Sequence, residues 1–187
     1  MENIELIITI FNVMSVYYAA KNNIMTWVYG FIASFLTILL FCTDKMYMSM
    51  VFNAYSAIMC VIGTFTWFSK EKDNEATLKR TLPFRNFVIF LWLSSLLLII
   101  CNCINVNYPI YDALGTSASI IGTYMLLKKD VSCWYFWVLV DVLYIIYAIE
   151  SKNYGYATIY GVMLILAIYG LIYNNMLYNK KIKNGRN

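Results

Sequence analysis

Apolar residues along this chain form long runs that are separated by short polar turns. Seven runs can be drawn whose lengths are close to the roughly 17 to 25 residues that an α-helix needs to cross a bilayer. Their approximate bounds are 4–20, 25–42, 46–68, 86–104, 110–127, 133–149 and 154–178. Continuous apolar runs exclude a membrane β-barrel, whose strands alternate in character over about 10 residues. The pattern therefore predicts an all-α integral membrane protein with seven transmembrane helices.

Composition agrees with this pattern and argues against several kinds of chemistry. The 187 residues are 61% hydrophobic and 13% charged, whereas soluble domains carry about 25% charged residues. The chain has five cysteines and no histidine, which weighs against His-based acid–base catalysis and against a zinc site. We therefore expect no metal and no cofactor. The basic residues are dispersed between apolar runs, which argues against nucleic acid binding.

The placement of lysine and arginine predicts how the helices cross the membrane. With seven spans, all but two of the 14 basic residues fall on one side, and only Lys45 and Lys152 fall on the other. Cytoplasmic loops carry the excess of such residues, so the N-terminus is predicted outside and the C-terminus in the cytoplasm of a cell (inner) membrane. Glu2 and Glu5 argue against a cleavable signal peptide, which begins with positive charge.

The chain matches itself without a gap when it is shifted so that Tyr17 falls on Tyr124. The other matched pairs are Lys21 and Lys128, Asn23 and Asp130, Trp27 and Trp134, Leu36 and Leu143, Lys45 and Lys152, Tyr47 and Tyr154, and Gly63 and Gly170. Helices one to three are thus expected to repeat as helices five to seven. A lone fourth helix between the copies would make them parallel. This 3+1+3 arrangement of two parallel three-helix repeats is typical of transporters, with the substrate near the midplane between the repeats.

This organisation divides the chain into five segments. They are a first repeat at 1–68, a cytoplasmic loop at 69–85, a linker helix at 86–104, a second repeat at 105–178 and a basic cytoplasmic tail at 179–187. The tail is expected to lie beside anionic lipid of the bilayer. The sequence leaves open whether the chain is a monomer or a homo-oligomer.

Asp141 is the first candidate for a ligand-binding residue. It lies at the centre of the sixth predicted span, where an ionisable side chain is costly and usually faces a cavity. The structural alternative is a protonated acid that is hydrogen-bonded to a neighbouring helix. Only one repeat carries the acid, because the matching residue is Ser34. This asymmetry favours a ligand over a packing requirement.

Two tryptophans share a helical face with Asp141. Trp134, Trp137 and Asp141 are spaced i, i+3 and i+7, and Tyr144 continues the face. Indole rings stack on flat heterocycles and attract cations. Tryptophan is also an ordinary residue of the membrane interface, and this alternative is strong for Trp134 because its match, Trp27, suits the same role.

Further candidates are uncharged polar residues within the predicted helices. They are Asn12, Ser34, Asn53, Ser119 and Tyr160. Such side chains could line a cavity or could join helices by hydrogen bonds worth about 0.6 to 2 kcal/mol. The sequence leaves that choice open.

The residues around Asp141 resemble those of the Pnu vitamin transporters, whose best known members are the nicotinamide riboside transporters called PnuC. The resemblance rests on the run from Trp134 to Asp141, with Tyr111-Asp112-Ala113-Leu114 and Lys128-Lys129 before it and Lys152 after it. It covers most of the chain from about Ser15, and helix four and its loop match least. It implies a fold similar to that of the SWEET sugar transporters. It also implies facilitated diffusion of a vitamin precursor that is trapped by phosphorylation in the cytoplasm.

Asp141 departs from the nicotinamide riboside pattern, in which asparagine stands at this place, and looks more like the thiamine-type branch. Both vitamins are cations with a flat aromatic ring, so tryptophan and a carboxylate suit either. An ionised Asp141 could also pair with the aminopyrimidine of thiamine. The predicted substrate is therefore nicotinamide riboside or thiamine.

Two other functions would fit a membrane protein of this kind. A SWEET-like sugar carrier would share the fold, but a neutral sugar gives no obvious use for an acid within a span. An integral membrane enzyme would need a second polar catalytic group near Asp141, and the predicted spans contain no lysine, arginine or paired carboxylates. The sequence therefore predicts a vitamin carrier and not an enzyme.

Overall fold

The computed structural model describes residues 2–44, 47–72, 78–81, 83–103 and 108–184, and it describes side chains in 4–39, 52–69, 78–81, 84–103 and 108–183. Some predictions fall outside the described residues. They concern Lys45, loop residues 73–77 and 82, the turn at 104–107 and the end of the tail at 185–187.

Seven α-helices account for almost all of the residues that the structure describes. They are α1 (Glu2–Ala20), α2 (Met25–Asp44), α3 (Tyr47–Lys72), α4 (Pro83–Cys103), α5 (Pro109–Leu127), α6 (Cys133–Glu150) and α7 (Tyr154–Asn184). The prediction of an all-α protein with seven helices is confirmed.

Two helices continue beyond the apolar runs that predicted them. The α3 helix ends at Lys72 and not near residue 68, and α7 continues to Asn184, so it includes most of the tail predicted from residue 179. Lysine is a good helix former, and its charge is favourable near the C-terminal end of a helix. The last turn of α7 contains Lys181 and Lys183, and both effects favour a helical conformation at this polar end.

Length and hydropathy mark several helices as suited to a bilayer. Phe84–Cys103, Cys133–Glu150 and Tyr154–Lys183 are long and apolar enough to cross a membrane, and the apolar helices Ile4–Ala20 and Met25–Leu39 are shorter. Large apolar side chains such as Trp92 are exposed on the surface of α4. Extended apolar surface of this kind marks a contact with membrane or protein, and the hydrocarbon of a bilayer would cover it.

The chain divides into two compact units, Met1–Thr77 and Leu78–Asn187, which we call the first unit and the second unit. In the first unit, α2 packs against both α1 and α3. In the second unit, α4 packs on α5, α5 on α6 and α6 on α7. The α4 helix therefore belongs to the second unit.

Small residues allow close helix contacts within each unit. The buried side of α5 is formed mainly by the small residues Ala113, Gly115, Ser117, Ala118, Ser119 and Gly122. In the first unit, Gly30 of α2 lies so close to its neighbours that an added Cβ atom would be 3.1 Å from Ser15 Oγ and 3.0 Å from Cys60 Sγ. On α5 the small residues leave room for aromatic side chains of α6, because Gly115 faces Tyr144 and Gly122 faces Trp137.

A short segment before α4 is tied to the turn between α5 and α6. The Lys79 amide donates a hydrogen bond to the Lys129 carbonyl at 3.1 Å, and the Val131 amide donates to the Lys79 carbonyl at 2.9 Å. The Asp130 carboxylate, which is buried, accepts hydrogen bonds from the Thr81 amide and hydroxyl. Part of the predicted cytoplasmic loop therefore has a defined structure in the second unit.

Four backbone hydrogen bonds of the turn between α1 and α2 recur in the turn between α5 and α6, at the residues that the internal match pairs. The Asn22 amide donates to the Ala19 carbonyl and the Lys129 amide to the Leu126 carbonyl, both at 2.9 Å. Asn22 and Lys129 both have positive φ angles, of 53° and 55°. Three more amide-to-carbonyl hydrogen bonds of the first turn have a counterpart in the second. Asn23 to Tyr18 corresponds to Asp130 to Met125, Thr26 to Asn23 corresponds to Cys133 to Asp130, and Trp27 to Ile24 corresponds to Trp134 to Val131.

Candidate functional site

The residues that the sequence singled out on α6 differ in how far they are buried. Trp134 is 2% exposed and Asp141 is 6% exposed, whereas Trp137 and Tyr144 are half-buried. The two half-buried aromatic side chains retain surface that a ligand could contact. The surroundings of the buried Asp141 carboxylate indicate whether it serves ligand binding or helix packing.

Trp134 packs tightly against Gly170 of α7. A Cβ atom added to Gly170 would lie 2.6 Å from the Trp134 ring, and one added to Gly63 would lie 2.2 Å from the ring of Trp27. The same tryptophan–glycine contact thus occurs in both units, at residues that the internal match pairs. This agreement favours the packing interpretation for Trp134.

Trp137 lies over Gly122 of α5, where an added Cβ atom would be 3.3 Å from the indole ring. In the first unit the residues at the corresponding places are Gly30 and Ser15. Both of these residues are small, so the first unit has no counterpart of the large Trp137 ring. The contact of the Trp137 ring with Gly122 is therefore specific to the second unit.

Asp141 and its match Ser34 have different polar surroundings. The Ser34 hydroxyl donates a hydrogen bond to the Ser56 hydroxyl at 3.0 Å. The residue that matches Ser56 in the second unit is Met163, which has no hydrogen to donate. Among the described residues, nothing forms a hydrogen bond or an ion pair with the Asp141 carboxylate. The structural alternative of an acid that joins two helices therefore finds no support.

Two tyrosines lie near Asp141. The rings of Tyr144 and Tyr160 stack with their centroids 4.9 Å apart and their planes 27° from parallel. Tyr160 also interacts electrostatically with Asp141. Tyr144 also reaches Gly115 of α5, where an added Cβ atom would be 2.7 Å from the phenol. The second unit thus brings together an acid and the aromatic rings of α6 and α7.

The remaining predicted residues lie elsewhere. Asn12 is exposed on α1, and Asn53 is half-buried on α3, so both belong to the first unit with Ser34. Ser119 is buried on α5 of the second unit, and its backbone carbonyl accepts a hydrogen bond from the Thr123 hydroxyl. Their part in ligand binding stays a prediction.

Sequence reasoning missed a group of aromatic residues at the far end of α6. Tyr147 packs there against Tyr108 and Tyr111, and Glu150 accepts a hydrogen bond from Tyr111. The sequence contained no clear signal, because a spacing of three moves 60° around a helix at each step and the other two tyrosines lie at the start of another helix.

Cysteines and acidic residues form no metal-binding group within the described ranges. Cys60, Cys101, Cys103 and Cys133 are free thiols. No three histidine, cysteine, aspartate or glutamate side chains of the described residues come together.

Comparison with known proteins agrees with the fold and with the resemblance found in the sequence. The family model described as nicotinamide mononucleotide transporter matches residues 2–174. A solved structure titled "Crystal structure of the Vitamin B3 transporter PnuC" is similar with a TM-score of 0.69 and 17% identity, over 92% of this chain and 80% of that chain. The match confirms the resemblance to the Pnu transporters and a multi-helix membrane transporter fold. This chain belongs to the nicotinamide mononucleotide transporter family.

Proposed function

We propose that this protein carries a flat aromatic cation, nicotinamide riboside or thiamine, across the membrane. The observation that carries the proposal is the Asp141 carboxylate, which is 6% exposed and has no hydrogen-bond or ion-pair partner among the described residues. A charge in such surroundings is expensive unless a ligand neutralises it. A cationic ring would supply that opposite charge.

The aromatic neighbours of Asp141 support a ligand that is flat as well as positive. Trp137 and Tyr144 on α6 are half-buried, and Tyr160 on α7 stacks on Tyr144. Aromatic faces attract cations by about 0.5 to 2 kcal/mol and stack on planar rings. Trp134 contributes by fixing α6 against α7 through its contact with Gly170.

Charge also distinguishes the proposed substrate from a nucleotide. The family is described by nicotinamide mononucleotide, which carries a negative phosphate. The group formed by Trp137, Asp141, Tyr144 and Tyr160 offers a phosphate no positive charge and one negative charge. The unphosphorylated riboside and thiamine avoid that repulsion. Asp141 would in addition accept hydrogen bonds from the aminopyrimidine of thiamine.

We further propose that transport is facilitated diffusion, with phosphorylation in the cytoplasm trapping the vitamin. The sequence contains no phosphate-binding loop of the form G-x-x-x-x-G-K-[ST]. The excess of basic residues on one side supports an N-terminus outside and a C-terminus in the cytoplasm. The α1–α2 and α5–α6 turns, which match in their hydrogen bonds, support two copies of one three-helix unit.

Transport in proteoliposomes tests this proposal. Purified protein should take up thiamine or nicotinamide riboside faster than riboflavin, glucose or nicotinamide mononucleotide. Preference for glucose would favour a sugar carrier. Chemical conversion of the vitamin by the purified protein would favour an enzyme. If neither vitamin is preferred, the substrate assignment is wrong.

Variants of Asp141 test the residue that carries the proposal. Asp141→Ala is expected to weaken vitamin binding about tenfold or more, because the desolvated cation loses its counter-charge. Asp141→Asn separates the effect of charge from that of shape. Lys152→Ala is the matched control, because Lys152 is an exposed residue of the α6–α7 turn. Equal binding by the Asp141→Ala and Lys152→Ala proteins would return Asp141 to a structural role.

A further inference from the structure

Three tyrosines and a glutamate form a compact group where α5 begins and α6 ends. Tyr108 precedes α5, Tyr111 lies in its first turn, and Tyr147 and Glu150 lie in the last turn of α6. The Tyr147 ring centroid is 5.0 Å from that of Tyr108 and 6.1 Å from that of Tyr111, and the Tyr108 and Tyr111 centroids are 6.4 Å apart. We call this group the tyrosine cluster.

The tyrosine cluster combines aromatic faces with a carboxylate. The Tyr111 hydroxyl donates a hydrogen bond of 2.8 Å to Glu150 Oε1. Glu150 is exposed, and all three rings are half-buried. The rings therefore keep accessible surface beside a negative charge. Aromatic rings of this kind recognise organic cations through the negative potential of their faces.

The matching places of the first unit lack this group. The residues that match Tyr111, Tyr147 and Glu150 in the sequence are Ile4, Leu40 and Thr43. They are aliphatic or hydroxyl residues. The aromatic and acidic residues therefore occur in the second repeat alone, as Asp141 does.

The tyrosine cluster is distinct from the group around Asp141. Asp141, Tyr144, Tyr147 and Glu150 follow one another at intervals of three residues along α6. Each interval advances about 4.5 Å along a helix, so Glu150 lies about 13 Å from Asp141 along the axis. The stacked Tyr144 and Tyr160 lie between the two acids. At 100° per residue, the two acids are also on opposite sides of α6.

We propose that the tyrosine cluster is a second binding site, which takes a flat aromatic cation at the end of α6. The cation would lie against the rings of Tyr108, Tyr111 and Tyr147, with Glu150 as its counter-charge. In the orientation of the proposed function, which this last step rests on, the site faces the outside. It would then receive the vitamin before the vitamin reaches Asp141.

Binding of a simple aromatic cation tests the site without relying on transport. The probe is 1-methylnicotinamide, neutral nicotinamide is its uncharged counterpart, and binding is measured by titration calorimetry in detergent micelles. The Asp141→Asn protein serves as the background, so that the acid of the first site does not contribute. We expect this protein to bind the cation and to bind nicotinamide at least about fivefold more weakly.

Substitutions in the background protein then identify the cluster. Tyr147→Leu is expected to weaken binding of the cation about five- to thirtyfold, since the central ring is lost. Tyr147→Phe should keep the affinity, and Glu150→Gln should weaken it about threefold through the lost charge. Tyr135→Leu is the matched control, because Tyr135 is an exposed tyrosine near the opposite end of α6.

The results separate this inference from the proposed function. Loss of cation binding in the Tyr147→Leu protein would support the cluster. If the wild-type protein at the same time transported neither vitamin, the proposed function would be contradicted and the cluster would not. Vitamin transport with equal probe affinity in the Tyr147→Leu and Tyr135→Leu proteins would overturn the cluster alone. Failure of the background protein to prefer the cation over nicotinamide would overturn the cluster as well.

Discussion

Helices α1 to α3 resemble helices α5 to α7 in the turn that joins the first two helices and in a tryptophan–glycine contact. They differ in their polar residues. Four backbone hydrogen bonds of the α1–α2 turn recur at the matched residues of the α5–α6 turn, with a left-handed residue at Asn22 and at Lys129. A tryptophan of the second helix packs on a glycine of the third helix in both cases, as Trp27 does on Gly63. These shared features belong to the backbone and to the packing of the three helices.

The residues that differ are the ones with the chemistry of a binding site. Ser34 corresponds to Asp141, Gly30 to Trp137 and Asn53 to Tyr160. In the first unit the Ser34 hydroxyl is hydrogen-bonded to Ser56, whereas no described residue forms a hydrogen bond or an ion pair with Asp141. The comparison therefore separates the residues that α1–α3 and α5–α7 share from the residues that differ between them.

The largest expected difference concerns Asn23 and Asp130, which match in sequence and share one hydrogen bond, whereas Asp130 alone also contacts Thr81. The Asn23 side chain accepts one hydrogen bond, from the Met25 amide. The Asp130 carboxylate accepts hydrogen bonds from the Ser132 amide and from Thr81. Asp130→Ala is expected to lower the free energy of unfolding by about 3 kcal/mol, because buried donors lose their acceptor. Asn23→Ala should cost about 1 kcal/mol, as for a helix cap.

Unfolding by SDS in mixed micelles measures both losses. Asp130→Asn is the intermediate control, because it keeps an acceptor oxygen and reproduces the residue of the first unit. Its loss should lie between those of the two alanine variants. Equal losses for Asp130→Ala and Asn23→Ala would mean that the contact with Thr81 adds nothing to the second unit.

The tryptophan–glycine contacts are expected to be equally important in the two units. Gly63→Ala and Gly170→Ala should each destabilise the protein by about 2 kcal/mol, because the new methyl group would overlap an indole ring. Gly161→Ala on α7 is the control, since a Cβ atom there has no neighbour within 4 Å. Its stability should stay unchanged or rise slightly, because alanine favours a helix over glycine.

Thermal unfolding of the three glycine variants in the same detergent tests this equality. A Gly170→Ala protein as stable as the Gly161→Ala protein would contradict a packing role for Trp134. A Gly170→Ala protein that keeps its fold but binds the vitamin tenfold more weakly would instead place Trp134 in contact with the ligand.

The sequence predicted the helices well because a bilayer sets their length and forbids charge within them. It also drew attention to Asp141, since an acid in an apolar run is conspicuous. The ends of α3 and α7 were not predicted, because a helix continues into polar residues wherever their own preferences allow. An apolar run marks the part of a helix that lies in lipid and not the whole helix.

Contacts between distant residues account for most of what the sequence did not predict. Thr81 and Asp130 are 49 residues apart, and no periodic pattern connects them. Trp134 suited both an interfacial and a ligand-binding role until its contact with Gly170 was known. The tyrosine cluster joins residues of α5 and α6 whose spacing has meaning only once the two helices are side by side.

The smallest expected effect concerns residues in the left-handed backbone conformation. Lys152 in the α6–α7 turn has a φ angle of 57°, and Asn22 in the first unit has one of 53°. Lysine pays a steric penalty there that asparagine largely avoids. Lys152→Gly is therefore expected to raise the free energy of unfolding by about 0.5 kcal/mol, after the entropy cost of glycine. Asn22→Gly should change it by less than about 0.3 kcal/mol.

Ser151→Gly is the control in the same turn, because Ser151 has a φ angle of −78° and gains nothing from glycine. It should lose about 0.5 to 1 kcal/mol through chain entropy. Chemical unfolding of the three proteins in one detergent would resolve these differences in sign. A loss in the Lys152→Gly protein as large as in the Ser151→Gly protein would mean that the Lys152 side chain stabilises the turn. The amides of Lys152 and Asn153 donate to carbonyls three and five residues earlier, as the amides of Asn22 and Asn23 do, so such a loss would come from the side chain and not from the backbone of the turn.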